Sequence, residues 1–137
     1  MLQSFAFPVP DLTGATRERA LNALVAVRVF GKYVERTMVP SRDGSGIWPA
    51  FNEILDERGT RLPVLHYATD VRAAMDVVVE MTARGFGPVM VETIEGVVLA
   101  PEPLTSQRVA TAICEKAIEL VAIGSAPDGP DGQKTAP

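Results

Sequence analysis

The chain has 137 residues, of which 47% are hydrophobic and 22% are charged, and its formal net charge at pH 7 is −4. A domain of this length buries roughly two-thirds of its unfolded surface, so neither a metal ion nor a disulfide is needed for folding. The negative charge gives no general attraction to nucleic acid or to an anionic membrane, and both partners are therefore disfavoured.

The single cysteine excludes an intrachain disulfide and fits a reducing compartment. The opening MLQSFAFPVPDL lacks the basic region and the long apolar run of a signal peptide. No stretch approaches membrane-spanning length. We therefore expect a cytoplasmic protein.

Residues 1–12 are apolar and interrupted by prolines, and Leu2, Phe5 and Phe7 alternate along them. This pattern predicts an N-terminal arm that packs as an edge strand or across a neighbour; a disordered start is the alternative.

A helix is predicted next, from Thr13 or Thr16 to Phe30. Apolar residues recur at helical spacing along it, and Gly31 supplies a stop. Its early charges, Arg17, Glu18 and Arg19, are expected to face water.

β-branched and aromatic residues over 32–39 then favour a strand, which Pro40 closes. A hairpin is predicted after it, with Phe51–Leu55 going out and Arg61–Leu65 coming back around a turn at 56–59.

The clearest amphipathic helix in the chain is predicted over 69–85. Thr69 is the expected N-cap, and Gly85 fits the left-handed position that ends a helix. The residues expected to face the core are Val71, Ala74, Met75, Val78 and Met81. Val77 and Val79 widen this face, which predicts a helix that is covered on more than one side.

A second hairpin is predicted after that helix, with strands at 89–93 and 97–100 and a turn near Glu95 and Gly96. A final helix is predicted to begin at a cap supplied by Thr105 or Ser106 and to run to about residue 123.

Together these elements predict an α+β protein, a single-domain α/β sandwich with an antiparallel sheet, in the rough order helix, hairpin, helix, hairpin, helix. The sandwich is assigned to residues 13–123. Glycine, proline and polar residues dominate 124–137, so this tail is expected to be disordered.

Three blocks of sequence resemble a known family. They are LNALVAVRVFG at 21–31, YATDVRAAMDVVVEM at 67–81 and ATAICEKAIEL at 110–120. In this order they resemble the signature blocks of the phage ABA-sandwich domain family, although Tyr33 replaces a tryptophan and the insertion carrying SRDGSGIWPA is longer. The resemblance implies an α/β sandwich of phage or prophage origin, and it implies no catalytic residue.

The residues offer no convincing catalytic set. One histidine and one cysteine do not make a zinc site, which needs three or four ligands. His66 is expected to be a hydrogen-bonded scaffold residue, with a pairing to Cys114 or Ser41 left open, and Cys114 a core residue. The carboxylates of the two hairpins would serve a hydrolase or a magnesium site only if they converged; they are Glu53, Asp56, Glu57, Glu92 and Glu95.

The most suggestive local feature is the glycine-containing loop SRDGSG with the tryptophan that follows it. Its amides suit a phosphate, Arg42 adds charge, and Trp48 suits stacking on a base; a plain surface loop is the alternative. The predicted ligand-binding residues are Arg42, Ser45, Trp48, Arg58 and Arg61, the last two joining only if the hairpin folds toward the loop.

Two classes of function follow. The first is a non-enzymatic accessory protein that forms a homo-oligomer and binds a host or phage protein. The second sequesters a small anionic ligand, such as a nucleotide immune signal, as a counter-defence device. A hydrolase is the third. No cofactor and no metal are expected.

Overall fold

The structure, a computed structural model, describes residues 7–123. The chain divides into two compact units, Met1–His66 and Tyr67–Pro137. The predictions for Leu2, Phe5 and the tail at 124–137 lie outside the described residues.

The first unit opens with a segment that packs against its own chain. The ring of Phe7 lies 5.2 Å from the ring of Tyr33 between centroids. Further along, Nη1 of Arg36 donates to the carbonyl of Asp11 at 2.9 Å. The part of the predicted arm at 7–12 is therefore held by contacts within its own unit.

The first helix, α1, spans Arg17–Leu24 and continues as a π-helical turn over Val25–Val29. The amide of Arg19 donates to Oγ1 of Thr16 at 3.2 Å, so Thr16 is the N-cap. Gly31 follows the helix with a φ of 66°, a left-handed conformation that glycine adopts without a steric penalty. The predicted helix and its stop are confirmed.

Three strands within residues 7–66 form an antiparallel sheet in the order β1–β2–β3. They are β1 at Val34–Pro40, β2 at Ile47–Ile54 and β3 at Arg61–Pro63. Val34 lies opposite Glu53 and Pro40 opposite Ile47, so β1 and β2 pair along their whole shared length. The first hairpin is confirmed at 56–59, but β2 begins at Ile47 rather than at Phe51.

The second unit contains α2, over Val71–Met81, where the sequence predicts the main helix. Its N-cap is Asp70, whose carboxylate accepts from the amide of Arg72 at 2.9 Å, so the prediction of Thr69 as the cap is wrong by one position. Gly85 has a φ of 96° and interrupts the helical backbone within the turn at Thr82–Phe86, at the predicted position.

The buried face of α2 differs from the predicted one. Its buried residues are Ala73, Ala74, Val77 and Met81. Met75 is 44% exposed, so its assignment to the core is wrong. The small side chains of Ala73 and Ala74 suit a close approach by a neighbouring helix, and this decides which side of α2 faces inward.

A helix, α3 at Gly87–Val98, replaces the predicted second hairpin. Pro88 lies in its first turn, where the fixed φ of proline suits a helix. The amide of Leu99 donates to the carbonyl of Glu95 at 2.9 Å, across the position predicted to be a turn. Packing of α3 against α2 and α4 outweighs the β-propensity of its valines.

The last helix, α4, spans Ser106–Ile123 and packs on α2 and α3. The amide of Arg108 donates to Oγ1 of Thr105 at 3.1 Å, which confirms a cap at the predicted place. Oγ1 of Thr111 donates to the carbonyl of Ala68 at 2.7 Å and so fixes the entry to this unit. The buried residues are Ala110, Ile113, Cys114, Ala117 and Leu120, all on the predicted face.

The α+β class and the antiparallel sheet are thus confirmed, with helix α3 in place of the second hairpin. None of the helices within residues 7–123 combines the length and the apolar character that a membrane crossing requires.

Replacement of Gly96 by alanine distinguishes a helix from a hairpin at this position. A Cβ built on Gly96 meets nothing within 4 Å, so Gly96→Ala is expected to raise the free energy of unfolding by about 0.5 kcal/mol through helix propensity. Urea denaturation measures the change. Gly85→Ala is the matched control and is expected to lower that free energy by about 1 kcal/mol, because φ at Gly85 is positive. A loss of stability in Gly96→Ala would contradict α3.

Candidate binding surfaces

The loop between β1 and β2 is held by hydrogen bonds within itself. The amide of Ser41 donates to the carbonyl of Gly46 at 2.8 Å, and the amide of Gly44 donates to the carbonyl of Ser41 at 3.3 Å. Oδ1 of Asp43 accepts from Oγ of Ser41 at 2.8 Å and from the amide of Ser45 at 2.9 Å. These amides are therefore used inside the loop, and the loop offers a ligand chiefly its side chains.

The carboxylate of Asp43 is the centre of this arrangement. Hydrogen bonds from Ser45, and then from Ser41, stabilise its charged form and lower its pKa to about 2. Asp43 is therefore ionised at neutral pH, and its Oδ1 atom accepts hydrogen bonds within the loop.

Arg42 and Trp48 line one cleft of about 530 Å³ in the first unit. This volume lies in the range of small-molecule sites. The cleft also receives Arg19 from α1, and Asp43 forms part of its wall. The structure thus brings together the charge and the aromatic ring that the sequence analysis selected, and adds a second guanidinium group.

Arg19 is exposed, as expected, but the sequence analysis did not select it as a ligand-binding residue. Its Nη1 donates to the carbonyl of Pro49 in β2 at 3.3 Å. Arg19 lies three and four residues before the buried Asn22 and Ala23, so helical spacing places it at the border of the buried side of α1. That spacing was the available signal.

A second cleft, of about 280 Å³, also lies in the first unit and shares Arg19 and Val39 with the first. Its polar lining includes Asn52 and His66. Nδ2 of Asn52 donates to Oγ1 of Thr37 at 3.4 Å. The two clefts therefore adjoin at Arg19, one on the side of the loop and the other on the side of β3.

Neither Arg19 nor Arg42 forms an ion pair within residues 7–123. Four other arginines in that range lie within 4 Å of a carboxylate, namely Arg36, Arg61, Arg84 and Arg108. Two guanidinium groups without a carboxylate partner in one cleft favour an anionic ligand.

Arg58 and Arg61 do not join this cleft. Arg61 lies opposite Ile54 in the sheet, and Trp48 is six residues further back along β2, roughly 20 Å away at strand spacing. Nη2 of Arg61 instead bonds Oε1 of Glu35 at 3.0 Å, and this bond is the first cause of the lowered pKa of Glu35. The prediction that both arginines share a pocket with the loop is not met, because the hairpin extends away from it.

The other candidate chemical groups occupy structural positions. Cys114 is fully buried, and burial raises the pKa of its thiol to about 12. Glu53 pairs with Lys32 at 2.9 Å, while Glu92 and Glu95 lie on α3 rather than on a hairpin. Within the described residues, no group of three or more histidine, cysteine or acidic side chains has the geometry to hold a metal ion.

A second candidate surface is the outer side of α3, in the second unit. Only Met90 is buried among the 12 residues of this helix. Val91 is 54% exposed, Val98 is 48% exposed, and Leu99 at the C-cap is 81% exposed. Val98 and Leu99 follow Val91 by seven and eight residues, so the three lie on one side of the helix with the exposed Glu95 between them. They are called here the α3 stripe.

No family model, no curated protein and no solved structure matches the chain. The resemblance to the phage ABA-sandwich family therefore stays a hypothesis that rests on the three sequence blocks.

The pH dependence of the loop follows from the lowered pKa of Asp43. Its hydrogen bonds are expected to be complete above the ordinary pKa of 3.8 and to be lost as the pH falls through about 2, because protonation removes the charge that they stabilise. The amide resonance of Ser45, followed by NMR, should titrate with a midpoint near 2. In Asp43→Ala this transition should disappear. A midpoint at the ordinary value would contradict the loop geometry.

Proposed function

We propose that this protein is a non-enzymatic accessory protein of phage or prophage origin that self-associates and binds a host or phage component in the host cytoplasm. The observation that supports it is the α3 stripe. The phage origin rests on the sequence resemblance, and the reducing compartment rests on the lone cysteine.

An apolar helix surface of this kind normally has a partner. A helix that is apolar on more than one side is usually covered by further protein, yet α3 leaves Val91, Val98 and Leu99 in contact with solvent. Most soluble homo-oligomers are symmetric, and a two-fold axis places the same patch of two copies face to face. In such a dimer the α3 stripe of one copy packs against the α3 stripe of the other, and both are removed from solvent.

The stripe carries acidic neighbours and no basic ones. Glu92 and Glu95 are exposed on α3, and the helix has no lysine or arginine. Glu95 lies four residues after Val91 and three before Val98, on the same side of the helix, so a symmetric pair must keep this carboxylate in contact with water while the valines pack. A host or phage component with basic residues around an apolar helix could pair with the carboxylates of Glu92 and Glu95.

A second candidate function is the binding of a small anionic ligand in the first unit. The joining of Arg19 with Arg42 and Trp48 in one cleft favours it. The two functions are compatible, because the residues of the α3 stripe and of the cleft are different. A hydrolase stays a prediction from the sequence; Glu92 and Glu95, which it needed on a second hairpin, lie on α3.

Acidic substitutions in the α3 stripe test the proposal. Val91→Glu together with Val98→Glu is expected to convert the oligomer into a monomer, since each copy would bring two further negative charges to the interface. Glutamate has a higher helix propensity than valine, so α3 should persist. Native mass spectrometry gives the subunit number, and circular dichroism checks the helix content.

Leu65→Ser in the first unit is the matched control, because Leu65 is 53% exposed and lies outside the stripe. This variant should have the same number of subunits as the wild-type protein. A wild-type protein that is monomeric at about micromolar concentration, the affinity range of ordinary specific complexes, would overturn the self-association.

A further inference from the structure

We infer that the two adjoining clefts of the first unit form one binding site for a small anion that carries a flat aromatic ring, of the mononucleotide class, with Arg19 as its central residue. This inference deepens the second candidate function and is independent of self-association through α3.

The electrostatics of the cleft select an anion. Arg19 and Arg42 each carry a positive charge, while Asp43 is the acidic side chain of the lining. Oδ1 of Asp43 accepts from Ser41 and Ser45, and the lining carries two positive charges against this one negative charge. The local charge is therefore positive in a chain whose net charge is −4. A guanidinium pair is suited to phosphate because each fork donates two parallel hydrogen bonds.

One hydrogen bond orients the side chain of Arg19 before any ligand arrives. Its Nη1 bonds the carbonyl of Pro49 at 3.3 Å, which holds the guanidinium group against β2 and leaves its other N–H groups available. A donor that is already positioned loses less entropy on binding. Arg42 lines the same cleft from the loop whose hydrogen bonds Asp43 accepts.

Trp48 supplies the aromatic surface. It lies opposite Val39 on β1, it is 40% exposed, and it lines the same cleft as both arginines. Indole rings stack on the flat faces of bases, and loss of one such stack weakens binding by roughly 5- to 150-fold. The cleft therefore suits a ligand in which a short linker joins an aromatic ring, for Trp48, to an anionic group, for the two arginines.

The second cleft gives the ligand a polar compartment. It adjoins the first at Arg19, and Asn52 and His66 offer donors and acceptors there, beside the apolar Phe51 and Val64. This combination suits a sugar or a second polar substituent. The ligand class is therefore a nucleoside phosphate rather than a bare inorganic anion or a simple aromatic acid.

Isothermal titration calorimetry with adenosine monophosphate, adenosine and inorganic phosphate tests the inference on the full chain. Adenosine monophosphate is expected to bind saturably and at least 10-fold more tightly than either of the other two compounds. Arg19→Ala and Trp48→Ala should each weaken its binding by about 10-fold or more. Its affinity should also fall as the salt concentration rises.

Arg58→Ala is the matched control. It removes an exposed arginine from the turn between β2 and β3, at the other end of the sheet, and should leave the affinity unchanged. Arg42→Ala is a third test variant, because the Arg42 side chain has no hydrogen bond or ion pair within residues 7–123 to lose. Thermal unfolding of each variant shows whether the fold is intact.

Three outcomes would overturn the inference. No saturable binding of adenosine monophosphate up to about millimolar concentration would reject the site. Phosphate that binds as tightly as the nucleotide would reject the role of the ring and of Trp48. Equal loss of affinity in Arg58→Ala and Arg19→Ala would reject a localised site. None of these outcomes affects the subunit number measured by native mass spectrometry. A failure of ligand binding is therefore distinguishable from a failure of self-association.

Discussion

The antiparallel ladder between β1 and β2 is the constraint on which the first unit depends. Its register puts Val39 opposite Trp48 and Pro40 opposite Ile47, so the loop at 41–46 must close over a short span. The carboxylate of Asp43 makes this closure possible, because it accepts hydrogen bonds from both sides of the loop. A slip of one residue in this ladder would turn Trp48 to the opposite face of the sheet and would remove it from the cleft.

The second unit depends on a different constraint, the close packing of helices through small side chains. Ala74, Ala110 and Ala117 have no exposed surface, and larger residues such as Met81 and Ile113 fill the space beside them. This packing buries one side of α2 and of α4 but little of α3. The two candidate surfaces thus have separate origins: a hydrogen-bonded loop on a sheet in one unit, and an incompletely covered helix in the other.

Much of the secondary structure could be predicted from the sequence. Thr16, Gly31, Gly85 and Thr105 act as helix boundaries because their side chains or their conformational freedom suit those positions locally. The failure at 87–98 has a physical reason, since valine, threonine and isoleucine suit either a strand or a helix and only the packing of α2 and α4 decides between them. Of the candidate site, Arg42 and Trp48 were found because both adjoin a visible glycine-containing loop.

What the sequence determined by itself is local: where helices start and stop, where the first hairpin turns, that Cys114 lies on a buried helix face, and that the class is α+β. Only the tertiary structure decided that Arg19 joins Arg42, that Arg58 and Arg61 lie at the other end of the sheet, and that α3 is a helix with one buried residue. The reason is distance along the chain. Arg19 meets β2 some 30 residues later, and no local propensity records which side of a helix a distant strand will cover.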